Sequence, residues 1–314
     1  MFCDILKGLL LNVEFRFANH QLLPTGLFLT KYCIVTSVRD EQEYIAKTID
    51  SVVAQTTLPV EWIIVNDGST DGTGCILDRY AAQYPWITAL HRENRGFRST
   101  GGGIDGFVFG FENLRTKNWD FLVNLDGDLS FDQDYFQRCF EHFRLDSRLG
   151  IGGGTIYNKI GDSLIIEQAA QFHVRGATKI YRRECWDSLG GMHRGLGWDT
   201  IDEVTANMRG WSTRTFPELQ LIHYRVTGTA RGKWWGFVKD GHADYIVGYH
   251  PVFFAAKCLS RLFRPPFLIG SAGLATGFLR GYVQRMPRVE NQEFVTFLRR
   301  QQSRRLLGLS TIWK

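Results

Sequence analysis

Apolar positions over the first 125 residues follow two alternating patterns. Short runs rich in β-branched and aromatic residues predict buried strands at 32–37, 61–66, 86–90 and 121–125. Between these runs, apolar residues three and four positions apart predict helices near 44–53, 76–84 and 104–114. Regular alternation of strand and helix is typical of a parallel sheet with helices on both faces. The sequence therefore predicts an α/β fold.

The two ends of the chain do not follow this alternation. Residues 1–30 show no clear period and are interrupted by Pro24 and Gly26, so we expect an extension outside the core fold. Near the C-terminus, apolar stretches at 251–259 and 265–279 are each shorter than the roughly 20 residues of a membrane-spanning helix. They predict a C-terminal helical appendage.

Basic residues are concentrated in this C-terminal part. The net charge is +5, yet 14 Lys and Arg stand against four Asp and Glu from Arg231 onward, and the rest of the chain is net acidic. Basic residues beside apolar stretches favour an anionic membrane surface as a partner and argue against nucleic acid. Helices docked on a membrane and helices packed on the rest of the protein both fit the pattern. The basic, aromatic loop Gly228–Trp235 is typical of a mobile lid, with an ordinary surface loop as the alternative.

Composition and cysteine usage bound the class and the compartment. With 44% apolar and 22% charged residues, the chain is not of the disordered class. Its six cysteines show no CxxC pair and no metal-ligand spacing, which indicates thiols in a reducing compartment. The apolar segment 5–11 lacks a basic start and a cleavage site, unlike a signal peptide. We therefore expect a cytoplasmic protein, either free or peripheral on the inner face of the cell membrane.

Two acidic loops follow predicted strands. Asp126 and Asp128 come directly after an apolar strand, and side chains two apart on an extended chain point the same way. Such a pair can hold a hard divalent ion, Mg²⁺ or Mn²⁺, which usually bridges to phosphate oxygens. Gly127 would let a diphosphate approach the backbone. Asp67 ends an earlier strand, where its carboxylate could accept hydrogen bonds from a nucleobase. Ligand sites in such sheets lie at these strand ends.

The motifs, in their order along the chain, resemble those of family 2 glycosyltransferases of the GT-A fold. The resemblance rests on Arg39-Asp40-Glu41, Asn66-Asp67-Gly68-Ser69, Asn94-Arg95-Gly96 and Asp126-Gly127-Asp128. It implies a Rossmann-like, mostly parallel sheet flanked by helices, with a nucleotide half joined to an acceptor half. It also implies that Arg39, Glu41 and Asp67 contact the nucleotide. Asp126 and Asp128 would then hold the metal and the donor diphosphate.

The resemblance also sets the expected domain boundaries. It covers about residues 31–225. We therefore expect an N-terminal extension over 1–30 and a GT-A catalytic domain over 31–230. The C-terminal region over 231–314 would hold the lid and the helices that either associate with a membrane or pack on the domain.

A cluster of acids precedes Gly210-Trp211, where the resemblance places the catalytic base. Inverting sugar transfer needs a carboxylate that takes the proton of the acceptor hydroxyl. Asp199, Asp202 and Glu203 are candidates, and their order departs from the Glu-Asp pair of the family. The base is therefore ambiguous, with Asp202 ranked first, Asp199 second and Glu203 third. Acids that only complement the helix dipole are the alternative.

Four further residues have two interpretations each. His223 is a third metal ligand or a histidine satisfied within the core. Arg98 offsets diphosphate charge or is a solvated side chain. Trp186 stacks on a sugar face or packs in the core. His173 lines the acceptor pocket or packs.

Together these features predict an inverting glycosyltransferase that moves a sugar from a nucleotide-diphosphate donor to a saccharide or lipid-linked acceptor, in polysaccharide or glycolipid synthesis. Two alternatives belong to other classes. A sugar-nucleotide nucleotidyltransferase usually carries a glycine-rich basic loop after its first strand, where this chain has Ser37-Val38-Arg39-Asp40-Glu41. An inactive carbohydrate-binding or membrane-surface protein has no need of the acids at 126, 128 and 199–203.

Overall fold

The computed structural model describes residues 30–96, 103–167, 170–225 and 232–313. The predicted N-terminal extension therefore lies outside the described residues, except for its last position. Arg98 and residues 228–231 of the predicted lid lie outside them as well.

The first half of the domain alternates strands and helices as predicted. Its elements are β1 (Tyr32–Val38), α1 (Ile45–Val53), β2 (Glu61–Asp67), α2 (Thr73–Gln83), β3 (Ile87–Arg92), α3 (Ile104–Glu112) and β4 (Phe121–Leu125). The strands lie in the order β3-β2-β1-β4, and each neighbouring pair is parallel. The ends of β1, β2 and β4 therefore meet at one edge of the sheet, which we call the carboxyl edge.

The second half extends the same sheet with mixed strand directions. Its elements are β5 (Leu129–Phe131), α4 (Tyr135–Leu145), β6 (Leu149–Ile160), β7 (Ser163–Ile166), β8 (Thr178–Arg182), α5 (Arg183–Leu189), α6 (Trp198–Met208) and β9 (Ser212–His223). From β4 the order continues β8-β6-β9-β5, with β8 antiparallel to both neighbours and β6 parallel to β9. β5 pairs antiparallel with β9, which places Leu129 opposite His223.

Strand residues alternate between two apolar layers. Ile34, Trp62 and Val123 face one layer, which α1, α2 and α4 complete. Val35 and Leu122 face the other layer, beneath α3 and α5. Because both faces are covered, the strands are apolar at nearly every position, which is why the sequence shows runs and not a simple alternation. The predicted α/β sheet with flanking helices is confirmed.

The C-terminal region is helical, as predicted. It consists of α7 (Lys233–Val247), α8 (Pro251–Leu262), α9 (Ile269–Val283) and α10 (Gln292–Leu306). The glycine-rich face of α9 packs against α7 so closely that a Cβ at Gly277 would lie 2.0 Å from the Val238 carbonyl oxygen. Among the described helices, none has both the length and the apolar character needed to cross a bilayer.

Candidate active site

Asp126, Asp128 and His223 form a compact group at the carboxyl edge. The two carboxylates follow β4, and β5 pairs with β9 so that Leu129 lies opposite His223. This pairing brings His223 Nε2 to 3.2 Å from Asp128 Oδ2. One potential ligand atom from each residue lies within 4.8 Å of those of the other two. The three residues could therefore hold one metal ion. This is the role expected for the two acids, and it is one of the two interpretations given for His223.

The chemistry of this group suits a divalent cation. Burial and repulsion from the neighbouring Asp128 carboxylate raise the pKa of Asp126 to about 6. His223 Nδ1 is buried and has no hydrogen-bond partner among the described residues. Two carboxylate oxygens and an imidazole nitrogen form a donor set that could hold a divalent metal ion. A cation would offset the repulsion that the folded chain imposes.

Gly127 has a packing role that the sequence did not reveal. A Cβ on Gly127 would lie 2.4 Å from Val38 Cγ1 and 3.2 Å from Ile45 Cδ1. The glycine therefore lets the acidic loop lie directly against the end of β1 and the start of α1. Room for a diphosphate, the reason expected from the sequence, is not needed to explain it.

Glu41 lies beside the metal group. Its carboxylate pairs with Arg225 at 2.9 Å, whereas its Oε2 has no hydrogen-bond partner among the described residues. Burial, together with Asp128 and Asp126, raises the pKa of Glu41 to about 8. Glu41 is thus a partly buried acid that adds a third carboxyl group next to Asp126 and Asp128.

Asp67, the last residue of β2, and Arg39, which follows β1, both contact the end of β3 or the loop after it. The buried Asp67 carboxylate lies 3.3 Å from Arg92 and 3.4 Å from Arg95. Arg39 donates to Asn94 Oδ1 at 2.9 Å and to the Gly96 carbonyl oxygen at 2.6 Å. Both residues therefore fix the loop after β3 against the ends of β1 and β2, at the side of the carboxyl edge away from β8.

A cavity of about 160 Å³ opens beside the metal group. Its walls include acidic, basic and aromatic side chains, namely Asp126, Glu167, Arg175, Trp198, Asp199 and Phe107. Asp126 and Asp199 thus face the same space, although 73 positions separate them in the sequence. We call this space the Asp126–Asp199 cavity.

The other two acids of α6 are enclosed. Asp202 is 5% exposed and accepts hydrogen bonds from Lys179 Nζ, at 2.9 Å, and from the Tyr181 hydroxyl. Glu203 is 1% exposed and accepts from the Val174 backbone N–H, with His173 Nδ1 at 2.8 Å. Neither residue is part of the cavity wall. His173, expected either in the acceptor pocket or in packing, is bound to Glu203.

The comparison with protein families decides the classification. The family described as Glycosyl transferase family 2 matches residues 33–196, which is more than half of the chain. The chain belongs to this family. The resemblance deduced from its motifs is therefore confirmed, and this segment is a family 2 glycosyltransferase domain.

Relatives and solved structures agree with this assignment. Glycosyltransferase GlyA of Streptococcus pneumoniae is 25% identical over 162 residues, which is 51% of this chain and 20% of GlyA. Poly-beta-1,6-N-acetyl-D-glucosamine synthase of Staphylococcus aureus is 29% identical over 136 residues, 42% of this chain and 31% of the synthase. The chain therefore spans less than a third of either protein's length.

Two solved structures share the fold at low sequence identity. S. aureus TarS 1–349 in complex with UDP-GlcNAc has a TM-score of 0.53 at 13% identity, covering 86% of this chain and 80% of that one. A mannosyltransferase from Pyrobaculum calidifontis in complex with GDP-Man and Mn²⁺ has a TM-score of 0.51 at 15% identity, covering 89% and 76%.

Within this glycosyltransferase domain, one predicted binding residue lies elsewhere. Trp186 is 5% exposed and its ring packs 4.8 Å from Phe111 and 5.2 Å from Tyr181, measured between ring centroids. Because the indole is enclosed beneath α3, the core-packing alternative fits and stacking on a sugar does not. Trp198, by contrast, lies in the cavity wall.

Sequence reasoning missed three residues of the domain that the fold brings to the cavity or next to it. Trp198 and Arg175 line the cavity, and Lys179 is buried behind Asp199. Trp198 adjoins the acidic cluster, so its position at the start of α6 was an available signal. Arg175 precedes β8 and Lys179 lies within it, in a segment without a recognisable motif. Only the antiparallel placement of β8 beside β4 brings the two residues to the cavity or next to it.

Proposed function

We propose that this protein is a metal-dependent, inverting glycosyltransferase that moves a sugar from a nucleotide-diphosphate donor to an acceptor hydroxyl. One observation carries the proposal: Asp126, of the metal group, and Asp199, at the start of α6, line one cavity. A donor whose diphosphate lies at Asp126 would then have its anomeric carbon within the cavity, with a carboxylate across from it. This arrangement is what inverting displacement requires, because nucleophile and leaving group occupy opposite sides of the sugar.

The proposed reaction assigns a task to each side of the cavity. Asp199 takes the proton of the acceptor hydroxyl while that oxygen bonds to the anomeric carbon, and the bond from this carbon to the nucleotide diphosphate breaks. Asp126, Asp128 and His223 would hold a divalent metal ion, which supplies charge stabilisation to the departing diphosphate. Arg175, in the cavity wall, adds a fixed positive charge between the two sides.

Asp199 is the base in this proposal because of its surroundings. It lies in the cavity wall, whereas Asp202 and Glu203 are engaged with Lys179 and have no surface in the cavity. Burial alone would raise the pKa of Asp199, but Lys179, His173 and Arg175 hold it below its usual value. The carboxylate is therefore ionised at neutral pH, as a base must be. This order reverses the ranking expected from the sequence, which placed Asp202 first.

The nucleotide is assigned to the opposite end of the carboxyl edge. Asp67 and Arg39, with the loop after β3, would receive the base and ribose, and Glu41 would lie next to the diphosphate. The sequence-based role of Arg98 at the diphosphate remains part of the proposal. Relatives named as polysaccharide synthases, including chondroitin synthase of Escherichia coli at 29% identity over 34% of this chain, favour an acceptor in polysaccharide or glycolipid synthesis.

A binding and turnover panel tests this function. We expect UDP or GDP to raise the melting temperature more strongly with Mn²⁺ than without it, because a ligand that binds the folded state stabilises it by mass action. We also expect UDP-GlcNAc or GDP-mannose to be hydrolysed slowly in a Mn²⁺-dependent manner. Exchange of pyrophosphate into the sugar nucleotide would instead identify a nucleotidyltransferase. If the panel shows neither nucleotide binding nor turnover, the remaining alternative is an inactive carbohydrate-binding or membrane-surface protein.

The C-terminal helices support peripheral docking on an anionic membrane. One face of α9 is buried, whereas its other face is apolar and exposed, with Leu279 60% and Val283 82% exposed. The connection from α8 to α9 adds Phe263 at 81%, Phe267 and Leu268. We call these five side chains the C-terminal apolar surface. Arg264, Arg280 and Arg285 are exposed close to it in the chain, so an acidic lipid surface complements both its apolar and its charged groups.

Liposome cosedimentation tests the docking proposal. The protein is expected to pellet with phosphatidylglycerol vesicles at low salt, because each basic residue near an anionic surface contributes about 1 kcal/mol. High salt should weaken but not abolish binding, since apolar burial is not screened. A triple variant with Phe263→Gln, Phe267→Gln and Leu268→Gln should remain in the supernatant. Leu145→Gln, at an equally exposed apolar position on α4, is the matched control and should still pellet.

Two results would count against docking. Wild-type protein that stays in the supernatant at low salt would exclude the membrane surface. Equal loss of binding in the triple variant and in Leu145→Gln would show a general effect of exposed apolar side chains.

A further inference from the structure

Lys179 is a fully buried cation directly behind the proposed base. It belongs to β8, next to β4, the strand that Asp126 follows, and its side chain has no exposed surface. Nζ donates to the Asp199 carbonyl oxygen at 2.8 Å and to Asp202 Oδ1 at 2.9 Å, and it lies 3.0 Å from Glu203 Oε1. The three donors of one ammonium group are thus directed at three positions of α6. The ring of Trp198, the first residue of α6, lies 5.1 Å from Nζ.

Two effects oppose a cation at this place, and the surrounding carboxylates offset them. The N-terminus of a helix carries partial positive charge and repels an ammonium group. Burying an ion also costs desolvation energy, and replacing buried ion pairs by apolar residues is often neutral or stabilising. Although burial alone would lower the pKa of Lys179, the three carboxylates Asp202, Glu203 and Asp199 raise it, so the group stays charged. A buried, charged lysine at this place is therefore weak evidence for a stabilising role.

The start of α6 gives Lys179 a different task. The helix begins after Gly197, which has a φ of +82° and no side chain that could cap the first turn. Within this turn, where Trp198 and Asp199 line the cavity, Asp199 Oδ1 accepts the Thr200 backbone N–H at 2.9 Å, a bond that is local to the helix. Lys179 contacts the carbonyl of that turn and both acids of the next, and so connects the first turn to the sheet.

We propose that Lys179 is a positioning residue, which holds the first turn of α6 so that the Asp199 carboxylate faces the cavity. This inference rests on the proposed function of Asp199. Lys179 contacts Asp199 and Trp198 of the cavity wall from behind, is not itself a lining residue, and takes no part in the proton transfer.

The charge of Lys179 gives the proposal a readout that a purely structural role lacks. Other titratable groups around Asp199 are Asp126 and Glu167 across the cavity, His173 and Arg175 ahead of β8, Asp202 and Glu203 on α6, Asp240 and Asp244 on α7, and Tyr249. Lys179, His173 and Arg175 lower the pKa of Asp199, and Lys179 has the largest effect of the three. Removing it therefore raises this pKa. Since Asp199 must be ionised to act, the fall of the rate at acidic pH should move to higher pH.

The experiment compares Lys179→Met with Arg182→Met. Arg182 is a cation on the same strand, but it donates to the carbonyl oxygens of Phe143, Asp146 and Leu149 on the other side of the sheet. The substrate is UDP-GlcNAc or GDP-mannose, whichever the unaltered protein turns over with Mn²⁺. For Lys179→Met we expect kcat to fall by about 100-fold, the cost of a small misplacement of a reacting group, with KM for the donor within about twofold. Of these two variants, only Lys179→Met should lose activity at a higher pH than the unaltered protein does when the solution is acidified, which is an upward shift of the acidic limb of the pH profile.

A second substitution covers the case in which Lys179→Met does not fold. Lys179→Gln keeps an amide that can donate to the carboxylates but removes the charge, and it should show the same upward shift. Lys179→Arg, which keeps the charge, should leave the acidic limb where it is. An unshifted limb in a folded Met or Gln variant, or the same kcat loss in Arg182→Met, would overturn the positioning role. Absence of turnover in the unaltered protein would overturn the proposed function instead.

Discussion

Replacing Asp199 with Asn is expected to lower sugar transfer by about two to four orders of magnitude, the usual contribution of a positioned general base. Binding of UDP or GDP with Mn²⁺ should be unchanged, because the substitution is isosteric and lies across the cavity from Asp126. The measurement is kcat for donor turnover beside the Mn²⁺-dependent shift in melting temperature. A loss of kcat without a loss of binding would assign Asp199 to the chemical step.

The matched control for Asp199 is Glu184→Gln. Glu184 is an exposed acid in the first turn of α5, so its removal tests whether an acid at a helix N-terminus matters only through the helix dipole. We expect nearly unchanged turnover. Asp202→Asn gives a second contrast, since Asp202 is enclosed with Lys179 and Tyr181 and should act through stability and positioning. Full activity in Asp199→Asn would exclude it as the base, and the sequence-based ranking of Asp202 would then regain support.

Asp128→Asn is expected to weaken Mn²⁺-dependent nucleotide binding by about 100-fold or more, since even partners that only orient metal ligands contribute 10–100-fold. Asp128 is buried and lies 3.2 Å from His223, and its carboxylate is among the three groups that could surround an ion. An amide keeps the shape but removes the charge that a divalent cation needs. Donor turnover should fall with binding. Thermal shift by UDP or GDP, with and without Mn²⁺, measures the effect.

Asp132→Asn is the control for Asp128, because it removes an exposed carboxylate four residues further along the chain. It should bind metal and nucleotide as the unaltered protein does. Asp126→Asn should resemble Asp128→Asn, since the two carboxylates belong to one group. Unchanged Mn²⁺ dependence in both variants would refute the metal assignment, although the base assigned to Asp199 would not be affected by that result.

The pattern of apolar residues predicted the first half of the fold because local periodicity reports which faces a strand or helix buries. Strands at 32–37, 61–66 and 121–125 and the helices between them appear where expected, and the third strand, predicted at 86–90, spans Ile87–Arg92. The acids at 126 and 128 could be placed at a strand end for the same reason. The family and its fold followed from motifs that are contiguous in the chain. Each of these inferences needs only residues near one another in sequence.

Tertiary structure decided what depends on distant parts of the chain. His223 reaches Asp128 only because β5 pairs with β9, and no local pattern specifies that pairing. Trp186 and Trp198 look alike in sequence, yet one is enclosed beneath α3 and the other lines the cavity. Asp199, Asp202 and Glu203 are three and four positions apart, so they share one face of α6 and the helix period cannot distinguish them. The packing of this face decides that Asp199 lines the cavity, whereas Asp202 and Glu203 are enclosed with a buried lysine of β8 that the sequence alone did not mark as important.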